Sequence, residues 1–116
     1  MFRTIIRWIR IADSEDEFPL GKITVRYAAG RKLCLAKTQE GLFAIEEKCP
    51  HNGFSLAMGW CTEDGKAIVC PLHRYVFEFS TGRARSGTGA ARVFPVEVRG
   101  DGVFLGVEEH EWGLGF

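Results

Sequence analysis

Two short motifs constrain this chain more than anything else in it. Cys49-Pro50-His51 and Cys70-Pro71-Leu72-His73, separated by 18 residues, supply two thiols and two imidazoles in matched Cys-then-His order. Thiolate and imidazole are the commonest metal-ligating pair, so the chain must fold in a way that brings two short loops face to face around one centre. A tetrahedral zinc ion accepts the same four ligands. Zinc sites of that composition usually read C-x2-4-C with H-x3-5-H, however, which pairs like with like. Here each loop mixes one sulfur with one nitrogen. A nucleophilic Cys-His pair is a weaker alternative, because no third orienting group stands beside either motif.

With their flanks, the motifs resemble the Rieske ferredoxin family: Cys49-Pro50-His51-Asn52-Gly53, then Cys70-Pro71-Leu72-His73-Arg74-Tyr75 followed by Phe77, Phe79, Thr81 and Gly82. The likeness extends over about residues 8 to 107. It implies one [2Fe-2S] cluster, with Cys49 and Cys70 on one iron and His51 and His73 on the other. Two ferric ions and two sulfides carry a charge of about +2, so two thiolates bring the site to neutrality where four would leave it negative. The reduction potential is therefore expected within roughly −150 to +300 mV, against about −400 mV for four-cysteine ferredoxins. The imidazole-bound iron is expected to take the electron, which makes His51 and His73 the electron port. The potential is expected to fall as pH rises.

Departures from the family's high-potential members narrow the expectation. Those members carry an extra cysteine in each ligand loop, and the two form a disulfide. This chain has Phe54 and Leu72 at those positions, so that disulfide cannot form. They also place serine and tyrosine hydroxyls two and four residues after the last histidine, where Tyr75 and Phe77 stand here. At least one hydrogen-bond donor to the cluster is lost, which favours the lower half of the potential window. The resemblance is thus to soluble, low-potential ferredoxins of bacterial oxygenase systems. It implies a single-electron carrier between a flavin-containing reductase and a terminal oxygenase, rather than an enzyme. Two alternatives remain at this stage: a small electron-transfer subunit of a nitrite-reductase-like complex, and a zinc-binding interaction module.

The 116 residues suit a single domain, and 46% hydrophobic with 26% charged content is ordinary for a globular chain. No room is expected for a second, catalytic domain. A formal net charge of zero lacks the basic stripe that nucleic-acid binding requires. Arg3, Arg7 and Arg10 interrupt the N-terminal apolar run, so no export signal is expected, and no stretch approaches the roughly 18 apolar residues of a membrane span. A cytoplasmic location follows as an expectation, one that suits reduced thiols at Cys34 and Cys61. Both are read as packed hydrophobes. Oligomeric state is left open.

Short alternating segments with frequent turn signals predict an all-β fold, an antiparallel sandwich or barrel. Strands are expected over Ile5–Ala12, Lys22–Tyr27, Lys32–Lys37, Leu42–Ile45, Ala67–Val69, Tyr75–Phe79, Arg92–Arg99 and Val103–Val107, with Pro95 marking an edge or bulge. The family resemblance adds that a small cluster-binding subdomain, about residues 46–82, is inserted into this β base. Asp13–Glu17 is expected to be a solvated acidic loop, and the glycine-rich 83–91 stretch a mobile one lacking the proline many relatives carry. Arg74, Arg83 and Arg85 are candidates for steering an acidic partner. Phe54 and Leu56 are read as shielding the centre. His110 is expected at the surface, and the tail 108–116 to pack on its own domain.

Overall fold

A computed structural model describes residues 2–50 and 53–112. Among the described residues, ten strands are distributed over three antiparallel sheets. The first sheet, in order β1-β10-β9, joins β1 (Phe2–Ala12), β10 (Gly102–Trp112) and β9 (Val96–Arg99). The second, β2-β3-β4-β8, joins β2 (Ile23–Ala28), β3 (Arg31–Thr38), β4 (Gly41–Glu46) and β8 (Val93–Phe94). Between β4 and β8 the chain builds a third sheet from β5 (Trp60–Cys61), β6 (Ala67–Val69) and β7 (Val76–Glu78). All-β architecture is as the sequence pattern requires.

The first two sheets close on a core of Leu33, Leu35, Leu42, Ala44, Phe94, Val103, Leu105 and Val107. In β3, Leu33 through Ala36 are all buried, because the second sheet has core on both faces. Leu33 and Leu35 serve the first core, while Cys34 and Ala36 face a second one with Ile45, Cys49, Leu56, Ile68, Cys70, Phe77 and Phe79. Strand β3 is thus the wall shared by the base of the molecule and the region of the cysteine motifs.

Several expectations are revised. The segment Arg92–Arg99 is not one strand: at Pro95 the chain leaves the second sheet, where β8 pairs with β4, and enters the first, where β9 pairs with β10. A residue without an N–H suits a position where the ladder must break. The acidic segment contains a 3-10 turn, Glu15–Glu17, capped by the Ser14 hydroxyl. Three of its four carboxylates are engaged: Asp13 with Arg10 at 2.7 Å, Glu15 with Lys37 at 2.6 Å and Glu17 with Arg26 at 3.5 Å. The glycine-rich 83–91 stretch is folded back on itself, with bridges Phe77 to Ala84 and Arg83 to Ala90. Residues 108–112 of the tail continue β10 beside β1, beyond the part that β9 covers, and His110 is exposed, within 3.2 Å of the Thr4 hydroxyl. The remainder of the tail, 113–116, lies outside the described residues.

Two contacts lock the third sheet onto the second. The buried Thr38 hydroxyl donates to the Gly65 carbonyl at 2.7 Å, and the Gln39 amide donates to the Glu63 carbonyl at 2.8 Å. Residues 38–41, the tight hairpin turn between β3 and β4, thereby grip the turn between β5 and β6. On the far side Arg85 bridges Asp64 at 2.7 Å and Glu78 at 2.6 Å.

Candidate metal centre

Both cysteine motifs sit in loops of one design. The Cys49 N–H donates to the Phe54 carbonyl at 2.8 Å, and the Cys70 N–H donates to the Tyr75 carbonyl, also at 2.8 Å. Each loop therefore closes over the same six-residue span, extended on its outer side by a bridge, Lys48 to Ser55 in one and the Val69 to Val76 pair in the other. The fifth position turns left-handed in both, as Gly53 with φ 72° and as Arg74 with φ 56°. In the second loop His73 is left-handed too, at φ 69°. Two consecutive non-glycine residues in that region carry about 1–3 kcal/mol of backbone strain each, a cost that the surrounding strands β6 and β7 must hold in place.

Burial separates the two kinds of candidate ligand. Cys49 is 2% and Cys70 0% exposed, both within the second core, whereas His73 lies at the surface with its ring edge-on to Tyr75, 6.1 Å between centroids. Cys70 Sγ lies 3.5 Å from the Leu72 carbonyl. The structure thus brings Cys49 and Cys70 into one buried cluster and places His73 on the rim. His51 lies outside the described residues, and among those described no three His, Cys, Asp or Glu side chains form a cage for a single ion. Two buried thiols on matched loops, with an imidazole at the solvent side, fit a group whose sulfur-bound half is enclosed and whose nitrogen-bound half faces out.

These features acquire a name from comparison with known proteins. Residues 7–98 match the Rieske [2Fe-2S] domain. The chain belongs to the Rieske family. Its centre is accordingly one Rieske-type [2Fe-2S] cluster, not zinc. Among curated relatives, the ferredoxin component of an alkene monooxygenase system from Xanthobacter autotrophicus is 32% identical over 97 residues, covering 80% of this chain and 76% of that protein. A naphthalene 1,2-dioxygenase system ferredoxin component from Pseudomonas aeruginosa is 29% identical, covering 77% of this chain and 86% of that protein. Among solved structures, the ferredoxin of carbazole 1,9a-dioxygenase from Nocardioides aromaticivorans superposes with a TM-score of 0.76 at 25% identity, over 84% of this chain and 95% of that one.

The surroundings of the Rieske motifs differ from the sequence reading in three respects. Leu56 is fully buried under the first loop, as shielding requires, but Phe54 is 38% exposed, and Leu72 in the second loop is 39% exposed. Met58 and Trp60, which the sequence reading did not single out as exposed, are 70% and 46% exposed in the segment joining the loops. Alternation alone does not place them, because a 3-10 turn at Leu56–Met58 and a two-residue strand are too short to show a period. Third, Arg85 is held by two carboxylates and offers little free charge, which leaves Arg74 and Arg83, both exposed, of the three arginines considered for steering.

Glu47, two residues before Cys49, is a buried charged position that the sequence concealed. It is 7% exposed, its carboxylate lies 3.3 Å from the Lys32 ammonium, and its carbonyl accepts from the Leu56 N–H at 2.6 Å. That ion pair holds the Lys32 ammonium above its ordinary range, through the hydrogen bond first and the carboxylate charge second. Burial pushes the Cys34 thiol up to about 12, and pushes the partly exposed Cys61 thiol up as well. Both stay protonated near neutrality, although Cys34 shares the second core with Cys49 and Cys70 and Cys61 packs against it.

Proposed function

We propose that this protein is a single-electron carrier that accepts electrons from a flavin-containing reductase and delivers them to a terminal oxygenase. The observation that carries the reading is the pair of matched loops, each closed by a Cys N–H bond to the fifth residue on, inside a family whose similar members are named as ferredoxin components of oxygenase systems. A solved complex of oxygenase and ferredoxin in carbazole 1,9a-dioxygenase, 28% identical to this chain, supports the same partner class.

We assign Cys49, His51, Cys70 and His73 as the four ligands, and about residues 46–82 as the cluster-binding subdomain. When bound there, the cluster supplies reversible one-electron chemistry. The chain's own contribution is positional. The Thr38 and Gln39 contacts fix the third sheet, and strands β6 and β7 hold the loop that carries Cys70 and the left-handed pair His73 and Arg74. Cys49 and Cys70 are shut away from water, so a thiolate-bound iron at their position is shielded, while the exposed His73 marks the face a partner must approach. Phe77 stands fully buried where high-potential relatives carry a hydroxyl, so it donates no hydrogen bond that would favour the reduced state. No side chain is required to act as acid, base or nucleophile. Among the described residues no helix is long and apolar enough to cross a membrane, and a cytoplasmic setting is the one that suits the free thiols Cys34 and Cys61.

Electron paramagnetic resonance of the purified holoprotein tests this, with iron and zinc analysis. A rhombic signal that appears only on reduction, with two irons per chain, is expected. A colourless protein with one zinc per chain would refute it. Rapid-mixing transfer from a reduced Rieske-system reductase and on to an oxygenase tests the partner class.

A further inference from the structure

The chain is neutral overall, yet its charges are unevenly matched. Cations along the first sheet and the acidic turn meet carboxylates: Arg7 meets Glu109 at 2.9 Å, Arg99 meets Glu97 at 3.0 Å and Lys37 meets Glu15 at 2.6 Å. Three exposed cations at one end of the second sheet do not. Arg31, Lys48 and Arg92 form no ion pair among the described residues. The strand register gathers them. Leu33 pairs with Glu46, so two residues further out Arg31 lies across from Lys48, and the pairing of Ala44 with Phe94 sets Glu46 beside Arg92. Leu33, Ala44 and Phe94 belong to the first core, and Arg31, Glu46 and Arg92, each two residues beyond one of them, share their side of the sheet. Where β3 and β4 end, a recess of about 370 Å³ opens, lined by Arg31, Lys32, Leu33, Glu46, Glu47 and Lys48.

Charge in the recess is not balanced. Lys32 and Glu47 cancel each other at 3.3 Å. Glu46 is the remaining carboxylate, and it accepts the backbone N–H of Arg92 at 3.0 Å rather than pairing with a side chain. Glu108, which lines an adjoining recess with Arg92, makes no ion pair with it. Cations gathered without counter-charges repel one another, so this grouping does not serve stability. The two guanidiniums are nonetheless held in place, 5.8 Å (Arg31) and 5.5 Å (Arg92) from the centroid of the buried Phe94 ring. A cation pinned on a ring has less side-chain freedom to lose on meeting an anion than a mobile one. From this end of the sheet β4 runs directly into the first ligand loop, with Lys48 next to Cys49.

We propose that this recess is a docking socket for clustered carboxylates on the surface of a redox partner, seating that protein against the first ligand loop. The inference rests on the electron-carrier reading above and adds to it the site and the chemistry of the contact. The width of the socket selects its occupant. Arg31 and Arg92 stand at strand ends on either side of β4, and neighbouring strands are about 4.8 Å apart, so their backbones are separated by about 10 Å. Two or more carboxylates on a protein surface fill that span, whereas one phosphate-sized anion reaches only part of it. Attraction of this kind is strongest at low ionic strength and fades as salt screens it.

Fluorescence anisotropy of a labelled hexaglutamate peptide, titrated with the oxidised holoprotein at low ionic strength, tests the inference. Wild type should bind the peptide, and Arg31→Gln/Arg92→Gln should bind it about fivefold more weakly, the scale of two exposed charge contacts. Lys22→Gln/Lys66→Gln removes the same charge from exposed cations elsewhere and should bind as wild type does. On wild type, carbodiimide should couple the bound peptide to Lys48 ahead of Lys22 and Lys66, as read by peptide mapping. Absence of binding to wild type, equal weakening in the two double variants, or coupling spread evenly over the three lysines overturns the proposal. Displacement of the peptide by inorganic phosphate at matched ionic strength also overturns it, because the recess would then be a site for a free anion. The reduced-state resonance signal should be the same in Arg31→Gln/Arg92→Gln as in wild type. Its absence from wild type strikes the electron-carrier reading, whereas an intact signal without peptide binding strikes the socket alone.

Discussion

Gly59 is the position where a single methyl group should do most damage to the Rieske centre without touching a ligand. Its backbone, φ −89° and ψ −155°, is open to any residue, so alanine there carries no conformational penalty. A Cβ at Gly59 would nevertheless sit 1.8 Å from the Val69 carbonyl oxygen and 3.3 Å from that of Leu56. Non-bonded carbon and oxygen need about 3 Å or more, so β5 and β6 must part by roughly 1.2 Å. Parting there loosens the pairs Trp60 to Val69 and Cys61 to Ile68 and displaces the residue that leads into Cys70. Losing about two backbone hydrogen bonds at roughly 1 kcal/mol each, with repacking of the buried Ile68 and Val69, amounts to about 2–4 kcal/mol. For a domain of this size that lowers the melting temperature by roughly 8–16 °C. The assay is thermal and denaturant unfolding of the holoprotein, with cluster absorbance followed beside circular dichroism. Gly21→Ala is the comparison: φ is 77° with nothing within 4 Å, so only the left-handed cost of about 1 kcal/mol applies, away from the ligand loops. If Gly59→Ala unfolds within about 0.5 kcal/mol of wild type, the close approach of β5 and β6 is not what sets the second loop.

Other outcomes follow from the same geometry. Thr38→Val, which removes the buried hydroxyl bonded to the Gly65 carbonyl, should cost about 1–3 kcal/mol in denaturant unfolding and speed cluster loss in the presence of chelator. The Thr62 hydroxyl, the Lys66 N–H and the Arg85 guanidinium hold the Asp64 carboxyl down at about 2. Its folded value is below the unfolded one, so its contribution is present above about pH 4 and is lost as pH falls toward 2. Asp64→Asn should flatten that part of the acid unfolding profile, and an unchanged profile would count against the assignment. Cys34 should resist Ellman's reagent at pH 8 until the protein unfolds, since burial holds its thiol near 12, while Cys61 reacts slowly. Glu47→Gln removes a buried negative charge two residues from Cys49 and should raise the reduction potential, with Lys32→Met lowering it; protein-film voltammetry reads both.

How much of this was legible in the chain depends on the range of the interaction concerned. The four residues proposed as ligands could be named at once because thiol and imidazole are rare and their order is set locally, by loops of six residues. Strands β2, β3, β4 and β6 were likewise readable from alternation and from the turn at Gln39-Glu40, where the neighbours that decide the conformation are adjacent in sequence. Residues Met58 and Trp60 gave no such signal, since no periodicity exists in segments of two or three residues. Nor did Glu47 stand out, because its burial and its lysine come from a strand 15 positions away, β3.

By itself, then, the amino-acid sequence determined the chemistry of the centre, the all-β class and the absence of the second disulfide-forming cysteine pair, all of which depend on residue identity and short spacings. Only the tertiary structure decided that Pro95 moves the chain between sheets, that the 83–91 stretch is folded rather than loose, that Arg85 is neutralised by Asp64 and Glu78, and that β1 is left as a bare edge. Each of these is settled by a partner far along the chain. Charge, burial and edge exposure are properties of neighbours in space, and a sequence states which neighbours it wants without stating which of them it obtains.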